Sequence, residues 1–125
     1  MTENEIGKII VHEALETHRE LGPGLLETVY EIVFAKRLSD AGLSVDRQAP
    51  IPIVFRGEKL DGGFRADILV NDCVIVELKS VENLNAAHKK QLLTYLRLSG
   101  KKLGFLLNFG ASLMKDGIVR TVNGL

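Results

Sequence analysis

Apolar positions change their period three times along the chain. Ile6, Ile9, Ile10, Ala14 and Thr17 or His18 recur at helical spacing, which predicts an amphipathic helix over residues 3–20. Gly22-Pro23-Gly24 breaks that pattern. Leu26, Val29, Val33 and Phe34 restore it from Leu25 to about Leu38, and Ala41-Gly42 supplies the stop signal. The period then shortens. Leu43–Arg47, Ile51–Arg56, Phe64–Val70 and Cys73–Lys79 are short runs rich in β-branched and aromatic residues, separated by Gln48-Ala49-Pro50, Gly57-Glu58 and Asn71-Asp72. They predict four successive antiparallel strands. Residues 85–99 return to helical spacing and end at Gly100. Lys102–Asn108 is a nearly continuous apolar run of the kind a buried strand shows, and Gly117–Val122 reads as a last strand. The expected class is α/β, with a sheet covered by helices.

Length bounds this picture: 125 residues leave room for one domain with one core, so residues 1–125 are expected to form a single unit. A content of 46% hydrophobic and 26% charged residues is that of ordinary globular chains and excludes a disordered or fibrous architecture. No apolar run approaches the ~20 residues that cross a bilayer, and Met1 to Gly7 are too acidic and polar for a signal peptide. The expected setting is cytoplasmic, with no membrane partner. The single cysteine, Cys73, has no partner for an internal disulfide or a CxxC metal site and reads as a small core residue.

Charge alters the picture by its distribution. The net formal charge is zero, which argues against coating nucleic acid by bulk electrostatics. Residues 1–85 carry nine Lys/Arg against fifteen Asp/Glu, a net of −6. Residues 86–125 carry seven Lys/Arg against Asp116 alone, a net of +6. The last third could supply a basic surface, or only a solvated helix face.

The candidate chemistry starts at Val76-Glu77-Leu78-Lys79, where the strand period of two sends Glu77 and Lys79 to one face. Two charges at the end of so apolar a strand need a partner, and Asp67 on the preceding strand offers one. The alternative is a solvated strand end in which Asp67 pairs with Arg65. On the following helix His88, Gln91 and Tyr95 share roughly one stripe. Glu27 and Tyr30 in Gly24-Leu25-Leu26-Glu27-Thr28-Val29-Tyr30 lie on neighbouring positions of another helix; alone they read as a first-turn acid and a core aromatic.

Taken together, Glu27, Asp67, Glu77-Leu78-Lys79 and Gln91-Leu92-Leu93-Thr94-Tyr95 resemble the RecB-like branch of the PD-(D/E)XK phosphodiesterase superfamily, with its helical Glu, Asp, ExK strand and QxxxY helix. Gly24-x-x-Glu27-x-x-Tyr30 ahead of these elements resembles, more closely, the small bacterial GxxExxY family. The likeness spans residues about 20 to 120. Ala66 stands where the superfamily name has proline. The resemblance implies a restriction-endonuclease-like core, with a mixed central sheet flanked by helices. It also implies a nuclease acting on nucleic acid, with DNA favoured over RNA. Asp67, Glu77 and the Leu78 backbone carbonyl would bind Mg²⁺ or Mn²⁺, and Glu27 would add a third carboxylate. Lys79 would orient the attacking water and stabilise developing charge. Gln91, Tyr95 and Tyr30 are assigned to substrate contacts, with Lys89 and Lys90 steering the polyanion. So small a domain offers little substrate-selecting surface, which a homodimer could enlarge. His12, His18 and His88 are not assigned to catalysis.

One geometric requirement follows. If Asn71-Asp72 alone made the turn, Asp67 would pair with Val76 and point away from Glu77. The metal-site reading therefore requires a three-residue loop or a bulge in this hairpin. Two other readings stay open: a nuclease fold that binds nucleic acid or protein without cleavage, and a scaffold whose acids are ordinary surface residues.

Overall fold

In the computed structural model, which describes residues 1–125, Thr2 opens the first helix with a capping box. Its hydroxyl accepts the Glu5 N–H and the Glu5 carboxylate accepts its own. Helix α1 (Glu3–Leu21) buries Ile6, Ile10 and Ala14, as the helical spacing requires, and stops at Gly22 with φ 70°. Helix α2 (Glu27–Asp40) follows, burying Tyr30, Phe34 and Leu38. Strands β1 (Val45–Phe55), β2 (Glu58–Val70) and β3 (Val74–Lys79) come next, then helix α3 (Ala86–Ser99), strand β4 (Leu103–Asn108), a 3₁₀ turn at Met114–Asp116 and strand β5 (Ile118–Val122).

The five strands form one sheet in sequence order. All neighbours are antiparallel except β3 and β4, which are parallel because α3 makes the crossover between them. Helices α1 and α2 cover one face, where Ile6, Ile10 and Phe34 meet Ile68, Val76, Leu78 and Phe105. Helix α3 covers the other, where Leu92 and Leu96 meet Ile51, Leu69, Ile75 and Leu106. Each fully buried aliphatic side chain contributes about 1.5–3 kcal/mol relative to exposure. The expected α/β class with a mixed, helix-covered sheet is the fold observed.

The four strands expected between residues 43 and 79 are three. Gln48-Ala49-Pro50 does not separate two strands; it lies inside β1, where Gln48 absorbs the irregularity at φ 49°. Pro50 is tolerated because β1 is a sheet edge, so its missing N–H costs no inner ladder bond. Likewise β2 begins at Glu58 rather than Phe64. A bulge between the Ile51 and Ile53 pairs takes up Asp61-Gly62-Gly63, and the two-residue turn Arg56-Gly57, with φ 50° and 80°, links the strands.

In the next hairpin Val70 pairs with Val74, leaving the three-residue loop Asn71-Asp72-Cys73 that the metal-site reading requires. The same register carried forward sets Asp67 level with Glu77. Cys73 therefore ends a loop rather than beginning a strand, and it is half-buried. At the far ends of β3 and β4, the buried Asn108 amide bonds the Val81 N–H and carbonyl. A Cβ on the neighbouring Gly110 would fall 2.3 Å from the Val81 oxygen, so only glycine fits there.

Candidate metal and nucleic-acid site

Strand β3 is packed on both faces. Val74, Val76 and Leu78 point to the α1/α2 side and Ile75 to the α3 side, so alternation sends Glu77 and Lys79 toward α3. Strands β2 and β3 pair only from Ile68–Val70 with Val74–Val76. Beyond Val76 they part, and Asp67 Oδ2 accepts the Leu78 backbone N–H at 2.8 Å where a ladder bond would otherwise run. This fixes the Asp67 carboxylate beside the residue next to Glu77. Arg65 does not pair with Asp67; it donates to the Gln48 carbonyl at 2.6 Å.

Glu77 is 9% exposed, and its Oε1 is buried without a hydrogen-bond partner. Burial, followed by the Asp67 carboxylate, pushes its pKa from 4.5 up to about 9, with Lys79 pulling in the opposite direction. A carboxyl so placed is held neutral at pH 7 unless positive charge arrives. Tyr95 answers to the same two acids. Burial first, then Glu77 and Asp67, raises its phenol, while its ring stacks on Phe64 of β2 with centroids 3.9 Å apart and planes 11° from parallel. The α3 helix is thereby clamped over the strand ends. Gln91, one turn earlier, is exposed, as are Lys89 and Lys90.

One expected participant lies elsewhere. Tyr30 is a correction to the substrate-contact set: it is fully buried and stacks on Phe109 at 4.6 Å. Its hydroxyl donates to the Gly22 carbonyl and accepts the Leu25 N–H, so it locks the Gly22–Leu25 turn. Glu27 stands at the first position of α2. The Ser80 hydroxyl ties the Leu25 carbonyl, just ahead of it, to the end of β3 at 2.6 Å, and the Glu27 side chain is exposed. No three His, Cys, Asp or Glu side chains are gathered closely enough to hold a metal among themselves. What the fold brings together is the pair Asp67 and Glu77, flanked by Lys79 and Tyr95. His88 caps α3, its Nδ1 accepting the Asn85 N–H, and His18 donates from Nε2 to the Ala111 carbonyl at 2.8 Å.

Two polar residues at the site were not legible beforehand. Glu31 on α2 is buried and bonded to Gln48 Nε2 at 2.6 Å and to Arg47 Nη2 at 2.8 Å. Gln48 Nε2 stands in turn 3.5 Å from Asp67 Oδ1. The Gln48-Ala49-Pro50 break was the only signal in the sequence, and it reads as a turn. No helix is long and apolar enough to cross a membrane.

A family model described as the PD-(D/E)XK nuclease superfamily matches residues 4–121. No curated protein matches the chain. The crystal structure of SSO0001 is similar at 18% identity and a TM-score of 0.42, over 94% of this chain and 76% of that one. With the family model covering nearly the whole sequence, the chain belongs to the PD-(D/E)XK nuclease superfamily.

Proposed function

We propose that this chain is a Mg²⁺- or Mn²⁺-dependent nuclease that hydrolyses phosphodiester bonds of nucleic acid, DNA ahead of RNA, within the RecB-like GxxExxY group. The observation that carries the reading is Glu77: a buried carboxyl with an unpartnered oxygen, pressed by a second carboxylate. An arrangement so unfavourable to negative charge suits a divalent cation, and two carboxylates with a backbone carbonyl are the hard oxygen donors such a cation prefers. Asp67 and Glu77 would hold it, with the Leu78 carbonyl as a third oxygen. When bound, it supplies Lewis-acid stabilisation of the phosphate and a more acidic water. Lys79, on the same face of β3 as Glu77, would orient a water and neutralise charge on the attacked phosphate. Tyr95 and Gln91 offer hydrogen bonds to phosphate oxygens, and Lys89 and Lys90 lie on the same helix where they attract the polyanion.

The alternative is a nuclease-fold module that binds nucleic acid or protein without cleaving. Cleavage assays separate the two. Single- and double-stranded DNA and RNA are incubated with Mn²⁺ and either the wild type or Glu77→Gln. Degradation by the wild type alone supports the nuclease. Retention of nucleic acid by both proteins, with no degradation by either, supports the module.

A further inference from the structure

The β1–β2 ladder pairs Arg47 with Ile68 and Ala49 with Ala66, but the position between them, where Gln48 faces Asp67, is missing. Gln48 is one of four non-glycine residues with left-handed backbone, at φ 49°. The strand pair also changes sides there. Val45, Ile68 and Val70 pack toward α1 and α2, whereas Ala49, Ile51 and Ala66 pack toward α3, although simple alternation would keep Ala66 with Ile68. Left-handed backbone is unfavourable for a glutamine, and such conformations persist where surrounding contacts impose them.

Those contacts are on the Gln48 side chain and carbonyl. Nε2 donates to Glu31 Oε1 at 2.6 Å and reaches 3.5 Å from Asp67 Oδ1, while the carbonyl accepts from Arg65 Nη1 at 2.6 Å. A primary amide has two N–H groups, so one can serve Glu31 and the other Asp67. A carboxylate at this place would face two acids, and a hydrocarbon would donate to neither. Leu78 N–H already holds Asp67 Oδ2, so the amide faces the oxygen left over, Oδ1.

We propose that Gln48 is a positioning residue of the Asp67–Glu77 site: it steadies the Asp67 carboxylate and links it to α2 through buried Glu31. The consequence for metal binding rests on the nuclease reading above; the restraint on Asp67 does not. Two variants separate the amide from the backbone. Gln48→Gly removes both the side chain and the left-handed penalty, and Gln48→Met keeps length and backbone while removing the donors.

In the metal-free protein, the ¹H–¹⁵N signals of the Gln48 side-chain amide shift when Asp67 is changed to Ala, or to Asn should the alanine variant not fold. Unmoved signals overturn the proposal. In calorimetric Mn²⁺ titration, Gln48→Gly and Gln48→Met each weaken binding on the order of 10-fold, as loss of an outer partner does. Neither has any effect in an Asp67→Asn background. Wild-type affinity in both single variants overturns the proposal as well. If the wild-type protein takes up no Mn²⁺, the nuclease reading falls and the amide signals alone decide the role of Gln48.

Discussion

Asp67 Oδ2 accepts the backbone N–H of Leu78 at 2.8 Å, in the gap where β2 and β3 have ceased to pair. The side chain thus takes over a ladder bond and is immobilised next to Glu77, whose burial and proximity to Asp67 keep it protonated in the metal-free protein. Asp67→Asn retains an oxygen for Leu78 and removes the negative charge. The Glu77 carboxyl is then expected to titrate below its wild-type value of about 9, read by carbon-13 NMR of the side chain. An unchanged value would show that burial alone sets it.

Stability should depend on pH through Glu77. Its folded pKa, about 9, lies above the ordinary 4.5, so the unfolded chain releases this proton first. The contribution is fully present below about pH 4.5 and is lost as pH rises toward about 9, with a slope of at most ~1.4 kcal/mol per pH unit. Denaturation of the metal-free protein across this window should show the decline, and Glu77→Gln should flatten it.

Cation binding must displace that proton. Near pH 7, uptake of one Mn²⁺ is expected to release about one proton. Calorimetry in buffers of different ionisation enthalpy measures the number, and a value near zero would mean that Glu77 is not a ligand.

Tyr95 has two separable parts. Tyr95→Phe keeps the stack on Phe64 and should cost under ~1 kcal/mol of stability, while lowering cleavage on the order of 10-fold if the hydroxyl meets the phosphate. Tyr95→Ala loses the stack and should cost about 2–3 kcal/mol, seen as a lower denaturation midpoint.

Gly110 tests the closure of the strand ends. In Gly110→Ala the new methyl would overlap the Val81 carbonyl, so either β4 or the loop after β3 must move. A loss of about 2–3 kcal/mol is expected by urea denaturation.

Sequence periodicity determined much of this protein. The spacing of Ile6, Ile10 and Ala14 specified the buried face of α1, and the alternation through Val74–Lys79 put Glu77 and Lys79 on one side of β3. Both are local properties: a helix repeats every 3.6 residues and a strand every two, whatever surrounds them. Punctuation was less reliable. Gln48-Ala49-Pro50 looked like a strand end and Phe64 like a strand start, but an edge strand can carry a proline and a bulge can absorb extra residues, so both lie inside long strands. Tyr30 sits in the helix where its spacing put it, yet the turn at Gly22–Leu25 claims its hydroxyl. The pairing of Gln48 with Glu31 and Asp67 depends on which strands become neighbours and in what register. Long-range packing and hydrogen bonding select that register, and no local period encodes it.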